Sequence, residues 1–138
     1  MIDINPASML GLMFLLHFFA DFNLQIGAGL DKFKQKKWWS DQIPKKMKEP
    51  FRFAMWERYK NDYKCALVCH ALYWSLIVCL PLVTVGGGAY VINALIQGAV
   101  HYDTDNKKAN KKTLNLIEDQ IVHAIQIISI WGAWMVAR

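Results

Sequence analysis

The lysine and arginine residues of this chain occupy three places only, and this distribution constrains the fold more than any other feature of the sequence. Eleven of the 16 lie in residues 32–64, four lie in residues 107–112, and the last is Arg138. Residues 1–31 and 65–106 contain none. A soluble domain exposes lysine and arginine over its whole surface, so such long stretches without either residue indicate a solvent that rejects them. The pattern is typical of an integral membrane protein.

Apolar stretches lie outside these basic clusters, and the first is long enough to cross a hydrocarbon core of ~30 Å, whereas the third is short unless it continues to Asp105. They predict an all-α fold, an integral membrane bundle of about four transmembrane helices with a basic interfacial segment, in a single membrane domain over residues 1–138. The predicted spans are residues 6–30, 65–85, 89–105 and 114–137. The first span is not expected to be a signal peptide, because acidic Asp3 precedes it and no basic region does.

The two basic segments predict the orientation, since lysine and arginine concentrate in cytoplasmic loops. We expect a multi-pass protein of the inner (cytoplasmic) membrane, with residues 32–64 in the cytoplasm and both termini outside. That segment has eleven basic and four acidic residues, a local charge of +7, and aromatic residues interleave with the basic ones. We therefore expect interfacial helices, broken near Pro44 and Pro50, that contact anionic headgroups; a basic patch alone does not indicate nucleic-acid binding. The candidate headgroup-binding residues are Lys36, Lys37, Trp38, Trp39, Arg52 and Arg58.

Polar residues recur every four positions inside three of the predicted spans. Residues at this spacing share one helical face, and rows of ionisable groups facing lipid would be costly, so we expect the rows to face one another. The rows are His17, Asp21 and Gln25 in the first span; Asn93, Gln97, His101 and Asp105 in the third; and Asn115, Asp119 and His123 in the fourth. The second span contributes His70. Under the predicted topology these groups meet in the cytoplasmic half of the membrane.

Imidazole and carboxylate groups on facing helices predict a site for a divalent metal, Zn, Mn or Fe. The candidate metal ligands are His17, Asp21, His101, Asp105, Asp119 and His123. The candidate catalytic residues are Asp21, Asp105 and His70, as general base, ligand or acid. The residues expected to orient the ligands are Gln25, Asn93, Gln97 and Gln120. A proton or ion pathway, or hydrogen-bonded packing alone, would use the same residue types.

The three cysteines lie within one apolar stretch and suggest no disulfide framework. We expect them to behave as small buried apolar residues. Cys65 and Cys69 are four residues apart beside His70, so ligation of a soft metal remains an alternative.

The segments HFFADFNLQ (17–25), NALIQGAVHYDTD (93–105) and EDQIVHAIQI (118–127) resemble the domain-of-unknown-function family 3307, which consists of small bacterial and phage membrane proteins. The resemblance extends over nearly the whole chain, including His70. More loosely, the chain is similar to predicted membrane-bound metal-dependent hydrolases. That looser similarity, rather than any spacing of residues, implies a hydrolase.

The leading hypothesis is a membrane-embedded metal-dependent hydrolase that acts at the cytoplasmic leaflet, with a phosphorylated lipid as a natural substrate for a site beside a basic segment. One alternative is a non-enzymatic phage or bacterial membrane protein that binds a membrane protein partner or modulates the envelope. A second is an ion or proton transporter, although no internal repeat supports it. Oligomeric state does not follow from the sequence.

Overall fold

The computed structural model describes residues 4–26 and 30–138, with side chains described for residues 4–22 and 30–138. These residues form helices and turns, without a strand. The helices are α1 (Pro6–Phe18), α2 (Lys36–Asp41), α3 (Phe51–Tyr59), α4 (Asp62–Val78), α5 (Gly87–Asn106) and α6 (Leu116–Ala137). Helix α1 continues as a π-helical segment (Phe19–Ile26), and a second π-helical turn (Lys107–Lys111) follows α5. Short 3₁₀ helices span Asp31–Lys34 and Leu80–Thr84.

The ends of the long helices follow from local sequence signals. The Asn5 side chain accepts hydrogen bonds from the amides of Ala7 and Ser8, and Pro6 occupies the first turn of α1, where it costs no hydrogen bond. Helix α6 begins with a reciprocal capping box between Asn115 and Glu118. These caps fix where the helices that carry the site begin.

Helices α4 and α5 form an antiparallel hairpin with the most extensive helix contact among the described residues. Their backbones approach at Gly98, where an added Cβ would lie 3.0 Å from Ser75 Oγ and 3.6 Å from the Ala71 carbonyl oxygen. Helix α1 packs on α6 and on α4, and α6 also packs on α5. A glycine at the α4–α5 crossing therefore allows the two helices that carry His70 and His101 to approach closely.

The interior of the bundle has an apolar half and a polar half. The apolar half contains the N-terminal part of α1 with the C-terminal parts of α4 and α6. Its fully or nearly fully buried side chains include Met9, Met13, Trp74, Val78, Leu82, Ile127, Ile130 and Trp134. The polar half occupies the other end, where α1 ends, α4 begins, α5 ends and α6 begins. The alternating directions of the four helices thus bring their polar rows to one end.

Large apolar side chains cover the outside of the same four helices. They include Leu12, Leu15 and Phe18 on α1; Val68, Leu72 and Leu76 on α4; Val91, Ile92, Leu95 and Ile96 on α5; and Ile117, Ile121, Ile125 and Ile128 on α6. These four helices therefore expose many large apolar side chains while burying several ionisable ones, which is unlike the usual soluble arrangement.

The prediction of an all-α fold is confirmed. The predicted spans 65–85, 89–105 and 114–137 correspond to α4 with the following 3₁₀ helix, to α5 and to α6, and the predicted span 6–30 corresponds to α1 and its π-helical extension as far as residue 26. Within the described part of the chain, α6 alone is long and apolar enough to cross a membrane by length and composition, with a mean hydropathy of 1.4. The four-span arrangement and its orientation therefore stay a prediction.

Candidate metal centre

Four helical segments each bring an ionisable group to one buried cluster. Asp21 lies on the π-helical extension of α1, His70 on α4, and His101 and Asp105 one turn apart on α5. The α6 row contributes Asp119 and His123, again one turn apart. His101, Asp119 and His123 are fully buried, and Asp105 and Asp21 are 2% and 6% exposed. His17, on α1, is 3% exposed and lies within reach of the same ion as Asp21 and His123. The four histidines of the chain and three of its aspartates therefore meet in one place.

The centre of the cluster is the contact between His70 and His101, whose Nε2 atoms lie 3.0 Å apart. His70 Nε2 is also 3.5 Å from Asp21 Oδ1 and 3.4 Å from Asp105 Oδ2. Two ligands of one tetrahedral ion, each bound at ~2.1 Å, are about 3.4 Å apart. The spacing of these imidazole and carboxylate atoms therefore suits a shared divalent cation.

Asp105 connects this contact to the α6 row through its second oxygen. Asp105 Oδ1 lies 3.8 Å from His101 Nε2 and 3.8 Å from His123 Nε2. Among the described residues, Asp105 Oδ1 and His123 Nε2 are buried atoms without a hydrogen-bond partner, as is Asp119 Oδ1. Buried polar atoms rarely lack a partner, and an unpaired nitrogen facing an unpaired carboxylate oxygen is the donor set of a metal site.

Three overlapping groups of residues have the geometry to hold an ion. Each offers one ligand atom per residue, with all atoms of a group within 4.8 Å of one another. The groups are His17, Asp21 and His123; Asp21, His70 and His101; and His101, Asp105 and His123. Because the groups share Asp21, His101 and His123, the cluster can accommodate one ion or two neighbouring ions.

Trp74 forms the apolar floor of the cluster, one turn after His70 on α4. Its indole stacks on the His101 ring with a centroid distance of 4.2 Å and an interplanar angle of 9°. Its Nε1 donates a hydrogen bond to His17 Nδ1 at 2.9 Å. Sequence reasoning missed Trp74, although it lies four residues after His70 and therefore on the same face of α4.

Gln120 lies between α1 and α6 at the edge of the cluster. Its Oε1 is 3.1 Å from His17 Nε2, and its Nε2 donates to Asp21 Oδ2 at 3.3 Å and to Asp119 Oδ2 at 3.2 Å. Its Nε2 also lies 3.5 Å from His123 Nδ1, so one amide group contacts four of the candidate ligands. This position suits the predicted role of Gln120 in orienting ligands.

Two lysines from the basic segments also enter the cluster. Lys34 is 4% exposed and forms an ion pair with Asp105 Oδ2. Lys108 Nζ donates to Asp119 Oδ2 at 2.6 Å. Burial disfavours the charged ammonium of Lys108, but the Asp119 contact and the negative charges of Asp105 and Asp21 raise its pKa above the usual value. Sequence reasoning did not single out either lysine, because nothing distinguishes them from their basic neighbours.

Other predicted site residues lie elsewhere. Gln97 donates to Ser129 Oγ at 2.9 Å, and its side-chain and backbone oxygens accept from Gln126 Nε2, both at 3.0 Å. This is a separate polar bridge between α5 and α6. Asn93 donates to the Ala89 carbonyl oxygen on its own helix. The side chain of Gln25 lies outside the described residues.

The cysteines contribute no ligand to the candidate groups found among the described residues. Cys79 is buried, as expected for a small apolar residue, whereas Cys65 and Cys69 are exposed, contrary to that expectation. Both lie on α4, whose outer face also exposes Val68, Leu72 and Leu76. Cys65 and Cys69 therefore belong to the exposed apolar surface of α4.

The candidate headgroup-binding residues lie on α2 and α3, on either side of the segment that contains Pro44 and Pro50. Trp38 packs edge-on against Trp39 and Phe33, and Lys36 Nζ lies 5.7 Å from the centre of the Trp56 ring. Lys37, Arg52 and Arg58 are exposed. A cavity of about 430 Å³ lies between the two helices, lined by Ser40, Ile43, Glu49, Arg52, Phe53 and Trp56. This surface is aromatic and basic, as an interfacial segment requires.

Comparison of the chain with family models, with curated proteins and with solved structures finds no match. The resemblance to family 3307 therefore stays a prediction. Function is inferred below from the chemistry of the site, since a fold alone does not imply an activity.

Proposed function

We propose that this protein is a membrane-embedded bundle of four spans that binds a divalent metal ion among its buried histidines and aspartates. The observation that carries the proposal is the convergence of Asp21, His70, His101, Asp105 and His123 with ligand atoms 3.0–4.0 Å apart. Burying this many ionisable groups for packing alone would be expensive. A bound ion would satisfy the unpaired Oδ1 atom of Asp105. Asp119, also a predicted ligand, belongs to none of the three groups and lies 3.9 Å from Nδ1 of His123.

The apolar perimeter supports a position in the membrane. The most apolar stretch of α6 is only 28% buried within the molecule, whereas a core helix of a soluble protein would be mostly buried. Helices α1, α4 and α5 expose apolar side chains in the same way. Contact of these apolar surfaces with lipid would cost no free energy, whereas contact with water would be unfavourable. The inner membrane, with the basic segments in the cytoplasm, is the location that the positive-inside rule favours.

The activity that this site suits best is metal-dependent hydrolysis at the cytoplasmic leaflet, on a phosphorylated lipid. A divalent ion would polarise the scissile group and lower the pKa of a bound water towards neutrality. Asp21 and Asp105 lie close enough to a ligand set to hold a water or accept its proton, and His70 Nε2 contacts both. The exposed Arg52, Arg58 and Lys37 on α2 and α3 would attract anionic headgroups.

The test is phosphate release from phosphatidic acid and from a polyprenyl phosphate by the purified protein in lipid nanodiscs, with Zn²⁺, Mn²⁺ or Fe²⁺ added. Asp105→Asn is compared with Asp103→Asn, a matched control on the same helix whose carboxylate is about half-exposed and pairs with Lys107 and Lys111. We expect metal-dependent release by the wild type and by Asp103→Asn, and none by Asp105→Asn. Equal rates of phosphate release for the wild type and Asp105→Asn with every ion would contradict the proposed hydrolase activity but not the proposed metal binding.

A further inference from the structure

Metal binding leaves two cations of the cluster without a role, the buried Lys34 and the partly buried Lys108. Lys34 comes from the first basic segment and Lys108 from the second, and each contacts a carboxylate of the site. Lysine at a membrane boundary usually extends its ammonium towards water. Lys34 does the opposite, since its side chain is 5% exposed and its ammonium reaches Asp105 in the interior. Such a placement has a high desolvation cost and calls for an explanation.

Asn110 holds the two basic segments together beside the cluster. Its Oδ1 accepts a hydrogen bond from the Lys36 amide at 2.7 Å, and its Nδ2 donates to the Lys34 carbonyl oxygen at 3.0 Å. Asn110 belongs to the same π-helical turn as Lys108. This single side chain therefore fixes the backbone that carries Lys34 to the turn that carries Lys108, at the same end of the bundle.

The charges of the cluster depend on whether an ion is bound. Three buried aspartates, Asp21, Asp105 and Asp119, face two lysines, which leaves one net negative charge when the histidines are neutral. This count leaves out the carboxylate of Asp31, which is 48% exposed and therefore screened by solvent. A divalent cation changes the net negative charge to one net positive charge. A buried positive charge needs an anion as partner. Loading the site with metal would therefore create a place for an anion at the end where the two lysines enter.

Lys34 has a second partner that allows its ammonium to leave Asp105. Its Nζ lies 3.5 Å from Asp31 Oδ1 on the same 3₁₀ helix, and the Asp31 side chain is 48% exposed. When an ion takes Asp105, the ammonium can remain at the mouth of the site between Asp31 and an incoming anion.

We propose that Lys34 and Lys108 form a phosphate-binding pair that is completed when a divalent ion occupies the adjacent carboxylates. This inference rests on the metal site proposed above. A phosphomonoester has three free oxygens, one for the ion and one for each ammonium group, whereas a carboxylate has only two. The phosphate is supplied either by a lipid headgroup or by inorganic phosphate in solution.

The proposed pair predicts an effect of removing Lys34 that a purely structural role for this residue would not produce. Because the Lys34 ammonium competes with the ion for Asp105, its removal should strengthen metal binding in the absence of phosphate. The same removal should weaken the coupling between metal and phosphate. Coupling is reciprocal, so phosphate must tighten metal binding by the factor by which metal tightens phosphate binding.

The experiment is equilibrium dialysis of the detergent-purified full chain against Zn²⁺ or Mn²⁺, with and without inorganic phosphate. For the wild type and for the control Lys46→Met, which changes an exposed lysine of the same basic segment, we expect phosphate to tighten metal binding at least about fivefold. Lys34→Met should bind metal more tightly than the wild type and lose the phosphate effect. Lys108→Gln removes a cation that is only partly buried, so it tests the pair even if Lys34→Met does not fold.

A second arm identifies the source of the phosphate by repeating the dialysis in nanodiscs that contain phosphatidic acid or, as a control, phosphatidylglycerol. Coupling to phosphatidic acid alone assigns a lipid headgroup, and coupling to inorganic phosphate assigns a soluble anion. Metal binding without coupling to either phosphate would overturn the pair and leave the metal site intact. Weaker metal binding by Lys34→Met with the coupling retained would make Lys34 structural and also overturn it. No binding of either ion by the wild type would overturn the metal site itself.

Discussion

The indole Nε1 of Trp74 donates a hydrogen bond to Nδ1 of His17, and this contact determines what His17 can do. A nitrogen that accepts this bond carries no proton, so the proton of neutral His17 lies on Nε2, which faces Gln120 Oε1 at 3.1 Å. Both ring nitrogens are thus engaged in protein hydrogen bonds. In this arrangement His17 orients Gln120, which in turn contacts Asp21 and Asp119.

His17→Gln should therefore lower metal affinity about 10–100-fold without reducing the number of ions bound, since partners that orient ligands have effects of this size. Metal titration monitored by elemental analysis measures both quantities. Complete loss of one bound ion in the variant would instead establish His17 as a ligand, the role that its sequence spacing predicts.

The bridge between Gln97 and Gln126 should be independent of the metal. Gln97→Leu removes hydrogen bonds to Ser129 and Gln126 but touches no atom of the cluster. If α5 and α6 lie in the membrane as proposed, hydrogen bonds between them contribute about 0.6 kcal/mol on average, so we expect a small decrease in thermal stability and an unchanged metal content. A loss of metal in this variant would show that the bridge orients the ligands after all.

The approach of α4 to α5 at Gly98 should tolerate no larger side chain. Gly98→Val would place carbon atoms against Ser75 and the Ala71 carbonyl oxygen, and we expect a loss of about 1–3 kcal/mol in stability. Gly132→Ala on α6 is the control, because a Cβ there meets no atom within 4 Å. Thermal denaturation in detergent measures both variants. Equal melting temperatures for Gly98→Val and wild type would contradict the close packing.

The proposed topology predicts the side from which single cysteines react. In a background without the native cysteines, Lys46→Cys in the first basic segment should react with a membrane-impermeant maleimide only when the cytoplasmic face is accessible. Gly87→Cys, at the start of α5, should react only from the opposite face. Labelling of both positions from one side would contradict the four-span arrangement.

Much of the fold and of the cluster is predictable from the sequence, because both depend on periodicity. A row of polar residues every four positions identifies one helical face, and the alternation of basic and neutral connections orders the helices, which is how the meeting of Asp105 with His123 follows from sequence alone. Gln97 and Asn93 share such a row yet lie outside the cluster. Periodicity identifies a face, but it does not specify the depth at which that face meets its partners.

The remaining features depend on tertiary contacts that no local pattern encodes. Lys34 and Lys108 have the same sequence surroundings as solvent-exposed lysines, and only the folding of their segments back over the bundle brings them to carboxylates. Asn110, which joins these segments, is one of several polar residues in a basic loop. Trp74 was missed for a different reason, because tryptophan in a span is usually interpreted as packing or as an interfacial anchor.

The most direct test of the central claim is elemental analysis of the detergent-purified protein beside the double variant Asp105→Asn/Asp119→Asn, with Asp103→Asn as control and circular dichroism to verify folding. We expect one or two equivalents of Zn, Mn or Fe in the wild type and in the control, and none in the folded double variant. Absence of metal from the wild type, even after reconstitution with each ion, would contradict the metal centre and leave a hydrogen-bonded polar core.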